Sequence, residues 1–226
     1  LFTARNIDLK RKAHFKPRKC HKTQITDRAV FTNRLYRDFC SLALTGYVQM
    51  DTVHSSRESK KTLLTMFFTK EKLFLAFLMN RCTKGAVRLV FDRLEKRMGT
   101  YEFASVFEYI LTDRGSEFGD PDALETGVNG IQRSSIYYCD PMQSGQKGGL
   151  EQAHTMLRMI LPKGTCFEFL TQWDVNLIVN HINSTPRESL GGTPYSVALE
   201  TLGEEVLNAF QLRPIAPDEV NLTPKL

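Results

Sequence analysis

The chain has 226 residues, 42% hydrophobic and 24% charged, enough for one sizeable core and a short appendage. Its net charge of +5 is concentrated at the front: residues 1–40 carry eleven Lys or Arg against three Asp and no Glu. No apolar stretch reaches the ~20 residues of a membrane span, and five cysteines without a CxxC pair argue against a disulfide framework and for a reducing, cytosolic compartment.

Residues 1–44 read as a basic arm that contacts a polyanion, ending in a short packing helix between Asp27 and Cys40, where Phe31, Leu35 and Phe39 recur at four-residue steps. Cys20-His21 with His14 nearby lacks the second cysteine pair a structural zinc site needs. A strand is expected at about 46–53, a polar loop to Lys61, then strands Thr62–Phe68 and Leu73–Met79 joined by the turn Thr69–Lys72. Both runs are too short and too apolar for surface helices, so they read as a buried hairpin. From Thr83 to Met98 the period changes to that of a helix, with Val87, Val90, Phe91, Leu94 and Met98 on one face and Gly99 as its stop.

A shorter helix at Tyr101–Phe107 leads into a strand at 109–113. Residues 114–134 read as loop with short helical pieces, and Ile136–Cys139 as a further strand stopped by Asp140-Pro141. Helices are expected at 144–161, at 171–184 and from Pro194, a good first-turn residue. Phe169 and Trp173 are expected in the core, and Arg187 is expected to brace the late loop through a carboxylate. The tail after Arg213 reads as extended. This order gives a mixed sheet covered by helices.

Three acidic residues occupy telling places in that order. Asp51 ends one apolar strand, Asp113 ends another just before Arg114-Gly115, and Glu151 lies in the first turns of the helix opened by Gln146-Lys147-Gly148-Gly149. Two strand-end aspartates and a helix-borne glutamate form a hard-oxygen ligand set, suited to Mg²⁺ or Mn²⁺ and to paired ions that drive in-line attack on phosphodiesters. The expectation is that Asp51 bridges two ions from a central strand while Asp113 and Glu151 flank them. Singly, each has a plain alternative as a turn residue, a cap or a first-turn acid.

Several blocks carry a resemblance: Met50-Asp51-Thr52-Val53; Leu111 to Phe118 with Asp113-Arg114-Gly115; Cys139-Asp140-Pro141; Gly145 to Glu151; Leu161 to Thr165; and Asn183 to Pro194. In this order they resemble bacterial insertion-sequence transposases of the DDE type, IS-thirty branch, over about residues 45–200. The resemblance implies an α/β, RNase H-like five-stranded mixed sheet flanked by helices, with a catalytic core at 45–205 and a C-terminal tail at 206–226. It implies a DDE triad of Asp51, Asp113 and Glu151 holding two Mg²⁺ or Mn²⁺ ions, and an activity that cuts transposon ends and joins them to target DNA. It also implies a helix-turn-helix domain ahead of the core, for which the basic arm is the linker, a homo-oligomer on DNA, and a bacterial cytoplasmic, nucleoid-associated setting. Arg114 and Leu150 stand where many relatives carry Asn.

Around the triad, Lys147, Gln146, His154 and Arg158 are the candidates for DNA contact, Lys147 beside glycines that allow close approach. Glu117 is a candidate spare ligand. A DNA-binding remnant and a nuclease for RNA–DNA hybrids are the alternative readings.

Overall fold

The computed structural model describes residues 29–224; the first 28 residues of the expected basic arm, with His14, Cys20 and His21, lie outside the described residues. Three strands, β1 (Val48–His54), β2 (Thr62–Phe68) and β3 (Leu73–Met79), form an antiparallel meander. Every residue of β2 is buried, as its unbroken apolar run requires of a strand covered on both faces. The chain then crosses over through α2 (Lys84–Met98) and α3 (Thr100–Val106), split by Gly99 at φ 85°, a conformation glycine adopts without a Cβ clash. It returns as β4 (Tyr109–Thr112), parallel to β1, and β5 (Ser135–Tyr138), parallel to β4. The sheet order is β3-β2-β1-β4-β5, so β1 is central.

Two further helices fix the functional face. Helix α5 (Gly148–Ile160) packs on β1 and β2, burying Leu150, Ala153, Met156, Leu157 and Ile160. Helix α6 (Gln172–Asn183) lies along β3 and closes the sheet's free edge with two side-chain amides. Asn183 accepts from Phe74 N and donates to Phe74 O at 2.9 and 2.7 Å; Gln172 accepts from Leu78 N and donates to Ala76 O at 2.7 and 3.1 Å. The backbone groups that would otherwise template another strand are thereby satisfied.

Before the sheet, helix α1 (Tyr36–Cys40) is shorter than the expected 27–40, but Phe31 and Phe39 are buried as the four-residue spacing implies. Arg34 pins this segment to Glu125 at 2.7 Å. The short α4 (Pro121–Glu125) interrupts the 114–134 loop. Helices α7 (Pro194–Leu202) and α8 (Glu204–Ala209) close the described fold.

Three expectations need correcting. The segment expected to begin the tail at 206 belongs to the core at its start: Val206, Leu207, Phe210 and Leu212 are buried, and Phe210 packs on Phe68 and Phe107 at ring separations of 5.9 and 5.8 Å. Phe169 and Trp173 are 91% and 71% exposed. The buried stripe of α6 is Val175, Ile178, Val179 and Ile182, and Trp173, two positions before it starts, falls off that face. The Arg187 loop is closed by backbone pairing with Gly192, not by an ion pair among the described residues. No helix among the described residues is long and apolar enough to cross a membrane.

Candidate active site

Parallel pairing of β1 with β4 matches Val48 with Ile110 and Gln49 with Leu111. Continuing that register two residues places Asp51 beside Asp113 on neighbouring strands about 4.8 Å apart; Asp113 follows the last residue of β4, whereas Asp51, expected at a strand end, lies in the middle of β1, which runs on to His54. The Thr112 hydroxyl donates to Met50 O at 3.1 Å across the same gap. Each aspartate uses one oxygen locally: Asp51 Oδ1 accepts from Thr52 N at 2.7 Å, and Asp113 Oδ1 accepts from Gly115 N at 3.0 Å. Both Oδ2 atoms face the ammonium of Lys147, at 2.8 Å from Asp51 and 3.7 Å from Asp113. Lys147 is only 5% exposed and also donates to Met50 O at 3.3 Å.

Glu151 stands one turn beyond Lys147 on α5, exposed. Asp51, Asp113 and Glu151 do not form a trio with ligand atoms all within 4.8 Å of one another. Among the described residues, the trio of His, Cys, Asp or Glu ligand atoms lying within 4.8 Å of one another is His54, Cys82 and Glu117. Two ions about 3.5–4 Å apart need no such convergence, because the outer ligands sit on opposite sides of the pair. The donor set is that of a hard divalent cation, two carboxylates whose Oδ2 atoms turn to one point, and in this structure the Lys147 ammonium sits at that point.

The start of α5 is locked to the central strand. Gln49 Oε1 accepts from Leu150 N at 2.8 Å, and a Cβ on Gly149 would lie 2.5 Å from Phe67 Cε1. The sequence reading assigned these glycines to close approach by DNA; at Gly149 the approaching group is Phe67, and the tight contact sets how far Glu151 stands from the sheet.

The other candidate DNA contacts each have an intramolecular partner. Lys147 is turned into the acid pair. Gln146 accepts from Asp140 N and donates to Asp140 Oδ2 at 2.8 and 3.0 Å, closing the loop before α5. His154 Nε2 lies 2.8 Å from Thr65 Oγ1, whose single proton goes to Asp51 O at 3.1 Å, so the ring carries its hydrogen on Nε2. Burial pushes the His154 pKa down, against the pull of Asp51, and Lys147 and Arg158 lower it further. Arg158 folds back to donate to Leu161 O at 3.3 Å. Arg114 donates to Cys139 O at 3.2 Å and lies over the Phe31 ring at 4.8 Å, so it fastens the segment ahead of β1 to the site.

Burial pushes the Asp113 carboxyl above its ordinary range; Lys147 opposes this, Asp51 adds to it, the Gly115 N–H opposes it and Glu117 adds again. A raised folded-state pKa stabilises the fold below the unfolded pKa and loses that contribution as pH rises through the folded value. Asp113→Asn is therefore expected to leave the chain more stable than the parent near neutrality in chelator. The difference should open as pH rises from about 4 and level off above the folded pKa of Asp113. Urea melts across that range check it, and a gap that narrows with rising pH would contradict the stated environment.

A five-stranded mixed sheet in this order, with one aspartate within its central strand and another just past the end of the neighbouring parallel strand, is the RNase H-like fold of integrase catalytic cores. The chain superposes on the simian T-cell lymphotropic virus intasome with a TM-score of 0.50 at 13% identity, covering 67% of this chain and 53% of that one. No family model matches the chain. It is homologous to insertion-sequence transposases and to integrases. It is 32% identical over 80 residues to the InsI transposase of element IS30A from Escherichia coli, covering 34% of this chain and 19% of that protein. It is 27% identical over 145 residues to an ORF3 product named as an integrase, from Spiroplasma virus SpV1-R8A2 B, covering 64% and 42%. The chain thus spans less than half the length of these curated relatives.

Proposed function

We propose that this chain is the catalytic core of a DDE-type transposase, cutting DNA at transposon ends and joining those ends to target DNA, with Asp51, Asp113 and Glu151 as its catalytic carboxylates. The observation that carries the reading is the parallel register that sets Asp51 beside Asp113 around a single buried cationic group. The transposase and integrase relatives support it.

Asp51 and Asp113 would hold hard divalent ions, with Glu151 as the outer ligand; such ions, when bound, activate water or a 3′-hydroxyl as nucleophile and steady the leaving oxygen. Thr52 N and Gly115 N orient the aspartates, Gln49 and Gly149 place α5, and His154 ties that helix to Thr65. Lys147 neutralises the acid pair within the fold. Gln146, His154 and Arg158 act in this reading by holding α5 in place. The phosphate backbone is assigned to Arg57, Lys60 and Arg81, exposed around one depression beside His54. Joining requires two DNA ends in one assembly, so the reading carries more than one copy of the chain on DNA.

The test is a labelled duplex bearing the inverted repeats that flank the gene, offered in Mg²⁺ or Mn²⁺ beside an RNA–DNA hybrid and an EDTA control. Cleavage of the duplex ends that disappears with EDTA is the expected result. Binding without cleavage in either metal would assign a DNA-binding remnant instead. Preference for the hybrid would assign a nuclease.

A further inference from the structure

We propose that His54, Cys82 and Glu117 form a second metal site, specific for a zinc-class divalent cation and distinct from the hard-oxygen pair at Asp51 and Asp113. The three residues come from separate parts of the chain: His54 ends β1, Cys82 lies in the turn before α2, and Glu117 sits in the 3-10 turn Ser116–Phe118 after β4. An imidazole nitrogen, the thiol sulphur and a carboxylate oxygen all lie within 4.8 Å of one another. A tetrahedral zinc shell, with bonds of about 2.3 Å to sulphur and about 2.0–2.1 Å to nitrogen or oxygen, spaces its ligands about 3.3–3.7 Å apart. Each pair therefore has at most about 1.5 Å to close; rotation of the exposed His54 side chain supplies this for its two pairs, and rotation of Cys82 or Glu117 about its own side-chain bonds for the third.

The ligand chemistry decides the class of ion. One nitrogen, one sulphur and one oxygen suit a borderline-soft cation, whereas Mg²⁺ prefers all-oxygen shells and keeps its waters. Three protein ligands leave the fourth position to solvent. The surroundings are arranged as they are around metal ligands. The Thr52 hydroxyl donates to Glu117 Oε1 at 2.8 Å and so holds that carboxylate beside the cysteine and the imidazole. Gly115 makes room for this arrangement: a Cβ there would lie 2.8 Å from Glu117 Oε2 and 3.0 Å from Asp113 Oδ1.

Access is direct. His54 and Cys82 open onto a depression of about 480 Å³ whose rim includes Arg57, Lys60 and Arg81. The competing state is a plain hydrogen bond, because burial and the neighbouring Glu117 charge push the Cys82 thiol up to about 11. Zinc must displace that proton, as it does wherever cysteine is a ligand. None of this depends on Asp51 or Asp113 being catalytic.

The reduced, metal-free chain titrated with Co²⁺ tests the site, because cobalt bound to thiolate gives a sulphur-to-metal charge-transfer band in the near ultraviolet. One equivalent should produce the band. Cys82→Ser should abolish it, and His54→Ala and Glu117→Gln should each weaken Zn²⁺ binding by about 10–100-fold in calorimetry. Cys20→Ser, Asp51→Asn and Asp113→Asn should leave the band intact, which separates this site from both the basic arm and the acid pair. A thermal melt in chelator confirms that each variant folds. No band in the parent chain, or a band that survives Cys82→Ser, would overturn the proposal.

Discussion

Asp51→Asn is expected to lower metal-dependent DNA cleavage by about 10³-fold, the equivalent of several kcal/mol of lost transition-state stabilisation. It should also destabilise the fold by about 1–3 kcal/mol, the cost of removing one charged hydrogen-bond partner from a buried group. Both effects come from one oxygen. Asparagine can still accept from Thr52 N through its carbonyl, but its amide then faces the Lys147 ammonium, donor against donor, where Asp51 Oδ2 stood at 2.8 Å. Lys147 is left buried with Asp113 at 3.7 Å and Met50 O at 3.3 Å. The double variant Asp51→Asn/Lys147→Met separates the two roles. Stability should largely return, because no ammonium is left buried beside a donor, while cleavage should stay at the level of the single variant. Activity within tenfold of the parent in Asp51→Asn would remove this residue from the site. A double variant as unstable as the single would show that the ion pair is not what holds this end of the sheet.

The strands were legible because their runs are short, apolar and bounded by turns. Thr62–Phe68 and Leu73–Met79 form as the pattern predicts, and Asp113 follows the end of β4, whereas β1 continues three residues past Asp51. Their adjacency was not legible from spacing alone, since it depends on β1 and β4 being parallel neighbours in register, a property of pairing between distant segments. Three other features were hidden for related reasons. Trp173 has the composition of a core residue, but helical phase leaves it outside the stripe that begins at Val175. Lys147 looks like a solvent-facing phosphate ligand until the fold turns it inward, between Asp51 and Asp113. His54, Cys82 and Glu117 carry no spacing signature, because a metal-like trio drawn from a strand end, a turn and a 3-10 turn far apart in the chain leaves its mark only in three dimensions. The 114–134 segment was correctly seen as loop, yet nothing in its polar composition shows that it encloses a fully buried arginine.

That arginine carries the second large effect: Arg133→Ala is expected to destabilise the chain by about 3–5 kcal/mol. The Arg133 side chain is 0% exposed, and its guanidinium is satisfied on three sides. Nη1 reaches Asp92 Oδ1 and Glu95 Oε2, each at 2.7 Å; Nε donates to Leu124 O at 2.8 Å and Nη2 to Ala123 O at 3.1 Å. Its planar face lies over Phe91 and Phe103 at 5.4 and 5.7 Å. Burial alone would push Glu95 up, but hydrogen bonds from Thr100, Arg133 and Val128 N, with the charge of Arg133, hold its carboxyl below the ordinary range. Truncation therefore leaves the buried Glu95 carboxylate without its counter-charge and the Ala123 carbonyl without the guanidinium, while Leu124 O keeps only the Ser134 hydroxyl at 3.3 Å, so more than a cavity results. It also frees α4 from α2, and with it the loop that delivers β5 to the sheet edge beside β4 and Asp113. Adding Glu95→Gln to Arg133→Ala should recover part of the loss by removing the stranded charge, whereas Arg133→Lys should fall between, since one ammonium cannot span both carboxylates and both carbonyls. Because the Glu95 pKa is depressed in the fold, its contribution is present above the unfolded value and fades as pH falls through the folded one, so the parent's advantage over Arg133→Ala should shrink in acid. Urea unfolding midpoints for the four proteins decide the matter, and a loss below about 1 kcal/mol for Arg133→Ala would mean that water or neighbouring side chains replace the guanidinium.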